Sequence, residues 1–117
     1  MATYSKELLS GSTQGKGILV AATATAGTLI HTAVTGTTDL DEIWLYAVNS
    51  SAADVKLTLE WGEATAPNGN IEQTVPAESG LMLLVPGLLL QNGLTVNAFA
   101  GTTNVIVVHG YANKIDK

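Results

Sequence analysis

Asp39–Gly62 reads DLDEIWLYAVNSSAADVKLTLEWG, and this stretch decides the fold class. From Asp54 to Gly62 the residues alternate. Val55, Leu57, Leu59 and Trp61 fall on one side, and Lys56, Thr58 and Glu60 on the other. A period of two is the mark of a strand with one buried face. Ile43–Val48 is apolar on both sides, as expected of a strand covered twice. Asn49–Asp54 is small and polar, which suits a turn. The stretch therefore predicts two strands joined as a hairpin.

Working outward, the same reading repeats. Lys16–Ala21 and Gly27–Val34 are short strands, the second with Leu29, His31 and Ala33 opposite Thr28, Ile30, Thr32 and Val34. Glu63–Asn70 is a loop marked by Pro67 and the Asn68-Gly69 pair. Asn70–Val75 alternates again. Leu81–Val85 is a continuous apolar run, predicted to be a buried strand. Pro86-Gly87 marks a turn or kink. Asn92-Gly93 carries the strongest hairpin signal and is expected to join Leu88–Gln91 to Leu94–Ala100. A β-branched strand over Thr103–Ala112 closes the core. Short strands at roughly ten-residue spacing, with no helical period, predict an all-β fold. The expectation is a single-domain antiparallel β-sandwich, jelly-roll-like, of about eight strands. Residues 16–113 form its body, 1–15 an N-terminal arm and 114–117 a C-terminal tail. Within the arm, Tyr4–Leu9 could form a helical turn, and the arm either folds back on its own domain or is held by a neighbour.

Composition narrows the functional classes. The chain has 117 residues, enough for a two-layer core in one domain without metal or disulfides. Cysteine is absent, which excludes disulfide staples and thiolate metal sites. Only 13% of residues are charged, against about 25% in an ordinary domain. Arginine is absent, the five basic residues are scattered lysines, and the net charge is −5. Phosphate recognition needs clustered Lys or Arg, so neither nucleic acid nor an anionic membrane is an expected partner. Leu81–Leu90 falls well short of the ~20 residues that span a bilayer, and Met1–Gly17 has no apolar run typical of an export signal. A surface of Thr, Ala and Asn suits a protein whose flanks are covered by copies of itself or by a partner.

Candidate chemistry is sparse. His31 and His109 are isolated on strands, and a metal centre needs three or four ligands with supporting hydrogen bonds. Asp39, Asp41 and Glu42 could supply oxygens to calcium but lack the spacing of a calcium loop. Glu60 and Glu63 could pair as glycosidase carboxylates, although no cleft is evident. No Gly-x-Ser-x-Gly elbow is present. Gly11–Gly17 lacks the order of a phosphate loop. No cofactor and no enzymatic activity are expected. Trp44 and Tyr46 share one side of their strand, opposite Ile43 and Leu45. If that side faces outward, it is an interface or a platform for sugar rings.

DEIWLYAVNSSAADVKLTLEWG and the later GLLLQNGLTVNAFAGTTNVIVVHGYA together resemble small β-sandwich virion proteins of tailed bacteriophages, such as head decoration (cement) proteins and other head, neck and tail accessory proteins. The likeness lies in Thr/Ala/Asn-rich strands, the Leu-x-x-Asn-Gly-Leu-x-Val hairpin of Leu89–Val96, the scarcity of charge and the absence of cysteine. It covers most of the chain after Ile18 and transfers no catalytic residue. It implies a structural virion subunit assembled in a host cytoplasm. Such a subunit would bind the major capsid protein or other virion proteins and would self-associate as a trimer or dimer. Tyr4, Leu8, Leu9, Asp39, Trp44, Tyr46, Pro67 and Asn68 are the candidate contacts. The alternatives are a lectin-like carbohydrate-binding module and a neck or tail subunit.

Overall fold

Two antiparallel sheets face each other across one apolar core in the computed structural model, which describes residues 2–117, so that Met1 of the expected arm lies outside the described residues. The front sheet holds Thr3–Leu8 (β1), Ile18–Leu19 (β2), Leu40–Asn49 (β4), Ser79–Leu90 (β7) and Ile106–Asp116 (β9). Its order is β1-β9-β4-β7, with β2 beside β1 on the same edge of β9. The back sheet holds Thr28–Thr32 (β3), Val55–Trp61 (β5), Asn70–Val75 (β6) and Thr95–Ala100 (β8), in the order β3-β8-β5-β6. Because β1 and β2 share one edge position, the nine strands make eight columns. After β2 the chain changes sheet at every connection except β5–β6. This is the wrapped course of a jelly roll, and the β-sandwich expected from the sequence is the fold.

The period-two pattern has the predicted physical meaning. Ile43, Leu45 and Ala47 of β4 point inward and meet Val55, Leu57 and Leu59 of β5, with Val96, Ala98, Ala100, Ile106 and Val108 completing the layer. The expected hairpins are different objects. β4 and β5 lie in opposite sheets, so Ser50–Asp54 bridges the layers rather than folding a ribbon. Asn49, fully buried, plugs this bridge. Its Nδ2 donates to the carbonyls of Ala53 and Val75 at 2.9 and 3.0 Å, and its Oδ1 accepts from Ser51 N and Oγ. Asn49→Ala takes the amide donor from the buried Val75 carbonyl and the acceptor from Ser51, and is expected to cost roughly 2 kcal/mol in urea denaturation. A loss below about 1 kcal/mol, the net value of one ordinary hydrogen bond, would show that water replaces the amide.

Asn92-Gly93 likewise joins β7 to β8 across the layers. Its φ values of 63° and 68° are those its residue types favour, but Asn92 N and Gly93 N bond to Gly36 and Val34 of the β3–β4 loop instead of closing a ladder.

Further expectations change. Leu81–Val85 is not a buried strand: Val85 is buried, Met82 and Leu84 are half-buried, and Leu81 and Leu83 are exposed. β7 is an edge strand with three register breaks against β4, so its two sides are not covered evenly. Pro86-Gly87 is one of those breaks, a bulge with Gly87 at φ +85° inside a strand that continues to Leu90. In β3 a bulge between Leu29 and His31 turns both Ile30 and His31 inward, ending the alternation expected there. The segment expected as an arm forms β1 against β9, and β9 runs on through Lys114–Asp116 of the expected tail.

Candidate interaction face

The two outer faces of the sandwich differ in kind. On the back sheet, the outward row of β5 is Lys56, Thr58 and Glu60, of which Lys56 is exposed while Thr58 and Glu60 are buried. Lys56 forms an exposed ion pair of 3.0 Å with Glu72 of β6. On the front sheet, every second residue of β4 faces out: Leu40, Glu42, Trp44, Tyr46 and Val48, all half-buried. Ladder pairing sets each beside an outward residue of β9, namely Ile115, Asn113, Tyr111, His109 and Val107. On the far side of β9, Tyr4, Lys6 and Leu8 of β1 align with Ile115, Asn113 and Tyr111, and Leu19 of β2 aligns with Val107. On the other flank β7 adds Leu83 beside Tyr46, Pro86 beside Trp44 and Leu89 beside Glu42.

Aromatic rings occupy the centre. Trp44 and Tyr111 lie 6.3 Å apart between centroids and within 12° of parallel, inside the range of offset stacking. The Lys6 ammonium sits 5.0 Å above the Tyr111 ring, a cation–π contact. Gly87 gives the Trp44 indole its room, since a Cβ there would lie 3.2 Å from the ring. Glu42 Oε1 accepts from Trp44 Nε1 and from Asn113 Nδ2, each at 2.9 Å. The Asn113 bond first, and then the Trp44 bond, hold the Glu42 carboxyl below the usual carboxylate range, against a smaller opposing effect of desolvation. With its folded value depressed, its contribution to stability is present above the ordinary carboxylate value and lost as pH falls through the depressed one.

Four of the eight sequence candidates, Tyr4, Leu8, Trp44 and Tyr46, come together on this face. Tyr4 and Leu8 are 70% and 58% exposed, unusual for such side chains unless something covers them. Leu9, in contrast, is core, buried beneath the end of the sandwich, so it anchors the arm rather than making a contact. Asp39 lies off the face and accepts from Lys117 N at 2.9 Å. Pro67 and Asn68 are exposed on the β5–β6 loop of the back sheet. Sequence reading missed Tyr111, His109, Val107 and the leucines of β7. Alternation along Val107, His109 and Tyr111 was available as a signal, but both sides of that strand are largely apolar.

The remaining candidates separate. His31 is buried between the sheets and bonds Asp41 at 2.8 Å, whereas His109 is on the outer face. Among the described residues, no group of three or more His, Asp or Glu side chains is placed to hold a metal ion. Glu60 and Glu63 line one shallow cleft of about 210 Å³ with Ala26, Ala64, Thr95 and Asn97. Glu60 is buried there, and its two oxygens accept from Gly27 N at 2.7 Å and Thr25 Oγ1 at 2.8 Å, so it fastens the β2–β3 loop. Among the described residues no helix is long and apolar enough to cross a membrane. No family model, no curated protein and no solved structure matches this chain.

Proposed function

We propose that this chain is a non-enzymatic structural subunit of a tailed-phage virion, held on the particle by protein–protein contacts through the outer face of its front sheet. The observation that carries the reading is the asymmetry of the sandwich. One sheet presents the exposed polar and charged side chains Lys56, Glu72 and Thr74, and the other presents Trp44, Tyr46, Tyr111, Leu8, Leu19, Leu83 and Leu89. Apolar area of that kind is worth about 25 cal/mol for each Å² a partner removes from water. A subunit that binds only the assembled shell stabilises it by its binding free energy. The resemblance of the strands to phage accessory proteins supplies the shell as partner.

The protein is expected to sediment with its virion and to occupy fixed positions in an image reconstruction of that particle. Trp44→Ala together with Leu8→Ala is expected to lower occupancy by about thirtyfold, the effect of losing roughly 2 kcal/mol of central contacts. Wild-type protein absent from the particle, or the double variant retained at full occupancy, would sink the reading. The half-exposed aromatic group Trp44, Tyr46 and Tyr111 also favours a second reading, a sugar platform. Glycan-array binding that disappears with Trp44→Ala would establish it instead.

A further inference from the structure

We infer that the β1–β9–β4 face is a twofold interface between two copies of this chain, packed front sheet to front sheet about an axis along β9, with Lys6 of each copy opposite Glu42 of the other. The inference rests on the reading of this face as an interface and names its occupant.

Each outward residue of β9 has one neighbour on the β1/β2 side and one on the β4 side. A twofold axis along β9 preserves the rows and exchanges the flanks, so the left neighbour in one copy meets the right neighbour in the other. For the row of Ile115 this sets Tyr4 against Leu40. For the row of Tyr111 it sets Leu8 against Trp44. For the row of Val107 it sets Leu19 against Val48. All three pairings are apolar. The row of Asn113 is flanked by two charged side chains, Lys6 and Glu42, and they are opposite in sign. The exchange therefore makes two identical ion pairs and leaves no like charges facing across these rows. Beside His109 the β1/β2 side holds Gly17, where a side chain would run into Val107 and His109, so the place opposite Tyr46 is small. On the axis itself, Tyr111 meets Tyr111 and Ile115 meets Ile115.

The chemistry at the charged row is prepared for this. Glu42 spends Oε1 on Trp44 and Asn113, both of which hold the carboxylate in place on the face. Lys6 stands over Tyr111, next to the axis, on an exposed strand. Aligned sheets pack about 10 Å apart, within reach of a lysine and a glutamate extended toward each other. A closed, isologous pair of this kind places Trp44 and Leu8 in the self-interface, so that they act on particle occupancy through the dimer, and leaves Leu83 and Leu89 of β7, on the same face, at its rim as the part that meets the shell.

Sedimentation velocity of the purified full chain tests this. The wild-type chain is expected to dimerise. Lys6→Glu and Glu42→Lys, each alone, place like charges opposite each other twice per dimer and should weaken association by about tenfold or more. An equimolar mixture of the two variants restores opposite signs at both pairs and is expected to form a heterodimer close to wild-type strength. Lys6 lies on an exposed edge strand, so its variant folds; if Glu42→Lys does not, Lys6→Glu combined with Glu42→Gln must recover part of the lost affinity. A monomeric wild-type chain, single variants that dimerise as well as wild type, or a mixture that stays monomeric would overturn the twofold. If the chain is monomeric but still occupies particles through Trp44 and Leu8, the assembly reading survives and only the self-interface falls. If it dimerises as described but never sediments with a virion, the reverse holds.

Discussion

Gly110→Ala is expected to destabilise the chain by roughly 4 kcal/mol, a large part of the 5–15 kcal/mol typical of a domain this size. Gly110 pairs with Leu45 in the middle of the front sheet, at φ +156°. A Cβ at this position would run into the Trp44 carbonyl and come within 3.1 Å of its carbon and 3.2 Å of Leu45 Cα. Those atoms belong to β4, which is held by β9 on one side and β7 on the other, so the backbone cannot step aside without opening a ladder. The effect also reaches the outer face, because the displaced residue would be Trp44. Gly36→Ala is the natural control. Gly36 has φ +84°, and nothing lies within 4 Å of the place its methyl group would take, so only dihedral strain is felt, at about 1 kcal/mol. Urea denaturation of both variants separates the two costs. Equal losses would mean that β4 yields easily and that the close approach is unimportant.

Asp41→Ala is expected to cost about 3–4 kcal/mol, through loss of a buried polar clamp between the two layers. His31 belongs to the back sheet and Asp41 to the front sheet, each 2% exposed. Ser10 N donates to His31 Nδ1 at 3.0 Å, which makes Nδ1 the acceptor and places the ring proton on Nε2. Nε2 then donates to Asp41 Oδ2 at 2.8 Å, and Val34 N donates to the same oxygen at 3.1 Å. Removing the carboxylate leaves the buried His31 Nε2 and the half-buried Val34 amide unanswered. His31→Ala strands the Ser10 amide, and with it the junction that carries Leu9 into the core and β1 to its edge. Replacing both His31 and Asp41 by leucine removes donor and acceptor together, and a substantial part of the loss should return. A double-mutant cycle by thermal or urea unfolding checks this. Additive single losses, with no recovery in the double variant, would show that the two side chains act independently.

Sandwich architecture is legible in the sequence because alternation at Val55–Trp61 and turn residues at regular intervals are local properties. Connectivity is not. The pattern around Asn49–Asp54 says which side of each strand is buried, and two strands facing one core from opposite sheets produce the same pattern as two strands paired in one. Asn92-Gly93 shows the limit of turn chemistry: the residues adopt the expected positive φ values, yet the flanking strands diverge. Leu81–Val85 misleads because an apolar run reads alike whether a strand is buried twice or lies on an exposed edge. On the candidate face, Trp44 and Tyr46 can be singled out by their shared parity. Tyr111 cannot, since nothing local ties it to a strand 67 positions earlier by ladder pairing. The His31–Asp41 bond is hidden for a related reason. A bulge in β3 turns His31 inward, and no periodicity predicts a bulge.

The position of β9 has a consequence for timing. It is the last of the nine described strands, yet β1, β2 and β4 all pair with it, and Thr3 lies opposite Asp116. While the ribosome is still making residues before Ile106, the first strand has nothing to pair with and Trp44 lacks its Tyr111 neighbour. Ladders that join the two ends of a chain close late and slowly, because the whole intervening loop must be ordered first. The aromatic face therefore comes into being only once Ile106–Asp116 has been made.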